Sequence, residues 1–126
     1  MGSISTTLLA ERNITIKTIE GVVSYKNVKE WVAEFYQDSV TRNTIWDFSG
    51  ASIIDMRSQD MKRIFHFTRQ FIPRGRKGKA ALVVSSEHGF GLSKLYKTHH
   101  DLSDHEVEHQ VFMKFQDALE WIESSD

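Results

Sequence analysis

Cysteine is absent from the 126 residues, which excludes a disulfide framework, a thiolate nucleophile and any cysteine-ligated zinc or iron–sulfur centre. Proline occurs once, at Pro73, and no low-complexity tract or linker interrupts the chain. No apolar run approaches the roughly 18 residues that a membrane span requires. Neither sign of charge prevails: 16 lysines and arginines face 17 acids, for a net charge of −1. A chain so balanced has no overall pull on nucleic acid and no acidic excess of the kind that keeps chains disordered. The opening residues, Met1 to Thr7, lack the basic segment and apolar core of a secretory signal. What remains is 40% apolar and 26% charged, the balance of a globular protein of one-domain length. The expectation is a single cytoplasmic domain over residues 1–126, without integral membrane association.

The periodicities describe an α/β protein. Leu8-Leu9-Ala10 and Ile14 to Thr18 read as two antiparallel strands joined by a turn over Glu11 to Asn13, with Gly21 ending the second. Val28, Trp31, Val32 and Phe35 fall at i, i+3, i+4 and i+7, which predicts an amphipathic helix, with Asn27 as N-cap and Glu30 as its capping-box partner. A strand over Thr44 to Phe48 breaks at Ser49-Gly50. A second helix over 58–72 carries Met61, Ile64, Phe65 and Ile72 on its stripe, with Thr68 in the remaining turn. Ser58 is its expected N-cap, Asp60 suits the positive end of the helix, and Pro73 stops it. Ala80 to Val84 is continuously apolar, as in a strand covered on both faces. A third helix is expected to start near Gly89 to Gly91 with Leu92, Leu95, Tyr96 and His99 on one face, then a strand over Gln110 to Met113 and a last helix with Phe115, Ala118, Leu119 and Ile122. The order β-β-α-β-α-β-α-β-α implies a mixed, mainly parallel five-stranded sheet with four helices in two or three layers.

The element order, the strands Thr44 to Ala51 and Ala80 to Ser85, Phe112 before the last helix, and Ala118-Leu119-Glu120-Trp121-Ile122 at its end resemble the SpoIIAA-like proteins. These are small bacterial α/β proteins related in fold to the STAS domains of anti-sigma-factor antagonists. The resemblance spans roughly residues 14–122. It implies a non-enzymatic role: binding a regulatory protein partner or, in some related folds, holding a nucleotide or lipid. In the antagonists an Asp-Ser-Ser-Gly-like turn before a helix carries a serine that a partner kinase phosphorylates. The matching stretch is Ile53-Ile54-Asp55-Met56-Arg57-Ser58. Asp55 matches the aspartate, whereas Met56, which cannot accept a phosphoryl group, takes the phosphoacceptor position and Arg57 follows. Ser58 is the alternative acceptor, although the N-cap role suits it better. The implied working surface is Asp55, Met56, Arg57, Ser58 and Asp60, with Gly89, Phe90 and Gly91 nearby. Strands end and helices begin at both places, the usual ligand edge of an open α/β sheet.

Other constellations are weaker. His99, His100, His105 and His109 lie within eleven residues with Asp101 and Asp104. His105 and His109 have the i, i+4 spacing of a helical metal pair, but in a strand the gap is wider. They are read as a solvated loop with one or two histidines titrating near neutral pH, and no metal or other cofactor is expected. Asp47 and Asp55 could flank a cleft as an acid–base pair, but helix capping or loop solvation accounts for them. Ser85-Ser86-Glu87-His88-Gly89 is no nucleophile elbow, so no catalytic residue is assigned. Gly89-Phe90-Gly91 could bring backbone amides to an anion, yet it matches no phosphate-binding fingerprint. The basic run Arg74, Arg76, Lys77 and Lys79 reads as an exposed loop, without the aromatic residues of an RNA-binding surface. Phe67 and Phe71 widen the apolar surface of the second helix, which points to a homodimer. Three functions follow in order: an interaction module, a carrier of a small apolar or anionic ligand lined by Phe67, Phe71, Phe90 and Tyr96, and a histidine-metal enzyme. The carrier would need a pocket of several hundred cubic ångströms, roughly the usual ligand size.

Overall fold

A computed structural model describes residues 2–37, 41–73, 75–103 and 105–124. Five strands form one sheet in the order β1 to β5: Ser3–Leu9, Ile14–Val22, Asn43–Ser52, Lys77–Val83 and Glu106–Phe112. The first two pair antiparallel and every later neighbour is parallel. A 3₁₀ turn over Ala10–Arg12 joins β1 to β2 and closes on Asn13, whose φ of 58° is one that asparagine tolerates better than most residues.

Helices α1 (Tyr25–Gln37), α2 (Ser58–Arg69) and α3 (Glu87–Asp101) are the crossovers between parallel strands. A chain that steps one way across a sheet with right-handed connections places such helices on one face. Their buried stripes, Val28, Trp31 and Val32, Met61 and Ile64, and Leu92, share a core with Ile19 and Val23. The last helix, α4 (Phe115–Glu123), covers the opposite face, where Ala118 and Ile122 meet Ile14, Ile45, Ala81 and Val83. Three layers result, and the apolar run of β4 is buried on both sides as its composition requires.

Several boundaries differ from expectation for local reasons. Ser24, not Asn27, caps α1: its Oγ accepts the Asn27 N–H at 3.3 Å and its own N–H donates to Asn27 Oδ1 at 3.2 Å. The periodicity of the first helix predicts that it fades over 38–41, and residues 38–40 lie outside the described residues. Strand β3 runs past Ser49-Gly50, because the β2–β3 register shifts between Thr18 and Glu20 and pairing resumes with Glu20 against Gly50. Gly21 likewise sits inside β2, with φ 86°. Helix α2 ends at Arg69, so Ile72 lies beyond it.

The basic run is not simply an exposed loop. Lys77 opens β4 and Lys79 is buried on the α4 side of the sheet. Its amide donates to Asn43 Oδ1 at 2.9 Å, and its ammonium donates to Trp121 O at 2.9 Å and Ser124 O at 3.0 Å. A buried cation is tolerated because it satisfies the free carbonyls at the negative end of α4. Phe67 and Phe71 are covered within the chain: Tyr36 of α1 stacks on Phe71 at 5.7 Å and Lys29 lies 5.1 Å over Phe67. The apolar width of α2 therefore needs no second subunit.

Candidate functional site

The loop after β3 and the first turn of α3 meet in a shallow surface hollow lined by Ile54, Met56, Arg57, Ser58, His88 and Gly91. His88 Nε2 donates to Met56 O at 3.2 Å and ties the two segments together. Of the residues expected there, Met56, Arg57, Ser58 and Gly91 line the hollow, whereas Asp55, Asp60, Gly89 and Phe90 do not. Ile54, which no periodicity singled out, is 72% exposed at its edge.

Each role in this region has a local cause. Met56 is 3% exposed and belongs to the core beneath the three crossover helices, so the position matching the phosphoacceptor is committed to packing. Arg57, not Ser58, occupies the N-cap of α2, and Ser58 is the exposed first helical residue. Asp60 reaches back and accepts the Arg57 N–H at 2.9 Å, which supplies one half of a capping box. Helix α3 starts two residues before Gly89, because Ser86 caps it by accepting the Gly89 N–H at 3.0 Å. Gly89 and Gly91 therefore lie within the helix, and the Gly89 amide is already used. Asp47 accepts the Ser49 N–H at 2.9 Å, while Asp55 is exposed beyond the strand, so the two carboxylates have separate local roles.

The histidines are not a solvated loop. Because α3 extends to Asp101 and β5 begins at Glu106, His100 and His109 face each other beneath the helix. Their exposures are 2% and 6%, and the rings stack at 3.8 Å with 12° between planes. Hydrogen bonds assign the protons. His105 Nδ1 accepts the Val107 N–H at 3.2 Å, so a neutral His105 carries its proton on Nε2 and donates to His100 Nδ1 at 2.6 Å. His100 then carries its proton on Nε2, a buried atom without a partner among the described residues. His109 donates from Nδ1 to Val107 O at 3.3 Å. Burial, then the neighbouring His109, His105 and His99, holds His100 far below the ordinary imidazole range. Burial first, and His105 second, pushes His109 down to about 3. Titration near neutrality is thus ruled out for these two by desolvation. Stacked rings point their lone pairs in parallel rather than toward a common point, and among the described residues no group of three His, Asp or Glu side chains is placed to hold a metal.

Between the sheet and α1 to α3 lies a cavity of about 90 Å³. Tyr96 lines it, but Phe67, Phe71 and Phe90 do not, because they pack toward α1 and the surface. It is also well short of the several hundred cubic ångströms expected of a carrier. Its walls are mainly apolar, with Phe35, Trp46 and Ile64 among them, and its polar residues include Arg42, Arg76, Tyr36, Tyr96, Thr68 and His109. Tyr96 donates to Thr68 Oγ1 at 3.3 Å, and burial raises both tyrosine hydroxyls above their usual range, so they stay protonated donors.

No protein-family profile matches the chain, and no curated protein matches it by sequence. Among solved structures, it is similar to an anti-sigma factor antagonist from Mycobacterium paratuberculosis, with a TM-score of 0.66 and 13% identity over 98% of this chain and 96% of that one. The two share a fold: the mixed five-stranded α/β architecture expected from the element order is the one found. No helix among the described residues is long and apolar enough to cross a membrane.

Proposed function

We propose that the chain is a non-catalytic, cytoplasmic regulatory module of STAS-like type that binds a partner protein through the hollow between α2 and α3. The observation that carries this reading is Ile54: a branched apolar side chain 72% exposed, beside a concave surface and at the edge where strands hand over to helices. Interaction surfaces commonly combine an apolar anchor with a polar rim, and here Arg57, Ser58, Glu87 and His88 supply the rim. The shared fold with an anti-sigma factor antagonist supports a partner-binding role. Phosphorylation is not the switch at the usual position, because Met56 stands there. For a homodimer, the Ile54 face is the candidate surface.

The test is tagged purification from the native cell followed by native mass spectrometry, comparing wild type with I54D and with L102D, a control at an exposed leucine away from the hollow. A stoichiometric partner, or a second copy of the chain, lost with I54D and kept with L102D supports the reading. Equal capture by both variants refutes it.

A further inference from the structure

Arg76 enters β4 from the preceding loop with its guanidinium along the wall of the inner cavity. One terminal nitrogen donates to Thr41 O at 2.6 Å, but among the described residues the buried Arg76 Nε–H has no acceptor. A buried charged donor left unpaired is costly and calls for a partner. The charge of Arg76 also acts on the Tyr36 hydroxyl, which places a second donor close by. Arg42, whose side chain is exposed, lines the same cavity and marks where it reaches the surface. Among the described residues, no aspartate or glutamate lines the cavity. Its polar end is therefore cationic and rich in donors, while the remainder is hydrocarbon and aromatic.

We propose that this cavity binds a small amphipathic monocarboxylate, with the carboxylate accepting from Arg76 Nε–H and the Tyr36 hydroxyl and the apolar body against Phe35, Trp46 and Ile64. Size and charge both select this class. The partly open space of about 90 Å³ exceeds the roughly 10–15 Å³ that holds one water and falls below the roughly 150 Å³ that accepts benzene. It takes a short chain or part of a ring, with the carboxylate at the Arg76 end, where Arg42 marks the opening. A carboxylate offers one acceptor oxygen to the Arg76 Nε–H and one to the Tyr36 hydroxyl, and the apolar walls suit a hydrocarbon body better than further charge. The cavity shares Met56 with the Ile54 hollow, but Arg76 and Tyr36 line only the cavity and Ile54 only the hollow, so either reading can fail without the other.

The experiment is titration of the whole chain with hexanoate, benzoate, hexanamide and 1-hexanol, followed by nuclear magnetic resonance of the Arg76 Nε–H and the Trp46 indole N–H. Saturable movement of both signals is expected with hexanoate or benzoate, and which acid binds tighter separates aliphatic from aromatic ligands. Hexanamide and 1-hexanol should bind at least about tenfold more weakly, as loss of a charge-assisted pair predicts. R76K keeps the charge but loses the Nε–H donor, and it should weaken acid binding to a similar degree. If R76K does not fold, Y36F provides the same comparison. Equal affinity for acid and amide, or no saturable movement with either acid, overturns the proposal.

Discussion

Acid should unfold this protein through His100 and His109, and the size of the effect follows from their burial. In the unfolded chain each imidazole titrates near 6.5; in the fold His109 is pushed down to about 3 and His100 lower still. Below pH 6.5 the unfolded chain therefore binds protons that the fold refuses, so stability rises with pH across this range. The contribution is fully present above about 6.5 and is lost as pH falls toward about 3. At pH 5 the loss is about 2 kcal/mol for each imidazole, or about 4 kcal/mol for the pair. A domain of this size typically has only about 5–15 kcal/mol in total. Urea unfolding at pH 7.5 and pH 5 measures the loss directly. H109F keeps a ring stacked on His100 but cannot titrate, so its loss over the same interval should be smaller by about 2 kcal/mol. An H109F variant that loses as much as wild type, or a His109 ring signal that titrates near 6.5 in the native spectrum, would refute the reasoning.

Three further perturbations test the packing. At Gly78, with φ 150°, an added Cβ would lie 2.0 Å from the Arg42 carbonyl oxygen, so G78A should destabilise by about 3 kcal/mol or more in urea unfolding. K79M removes the hydrogen bonds that Lys79 makes to the end of α4 and should cost about 1.5–3 kcal/mol, with amide exchange rising first in α4. D60A removes the acceptor for the Arg57 N–H and should cost about 1 kcal/mol, leaving the fold and the spectrum of the inner cavity unchanged.

The layers were legible because they rest on periodicity. Val28, Trp31, Val32 and Phe35 are all buried as their spacing required, and the apolar run of β4 is covered on both faces. The inner cavity was not legible. Its donors come from the end of α1 (Tyr36), the approach to β4 (Arg76) and the middle of α3 (Tyr96), and only the register of parallel strands brings them to one end of one space. The histidines failed for a related reason. A polar, histidine-rich stretch looks solvated although the expected third helix already carried His99; its continuation to Asp101 places His100 under the helix and opposite His109. Ile54 had no signal beyond its neighbourhood, since a single isoleucine next to a turn has no period to violate.

Among the described elements, helix α4 alone covers the sheet face that holds Ile14 and Ile45, and it is the last of them to leave the ribosome. The opposite face acquires its helices as synthesis proceeds, whereas this one stays open until residue 123 has been made. Open strand faces are where nascent chains go astray. The Lys79 ammonium, waiting at the rim for the carbonyls of Trp121 and Ser124, gives the final helix a fixed place to land. Loss of that landing point should lower expression yield in addition to equilibrium stability.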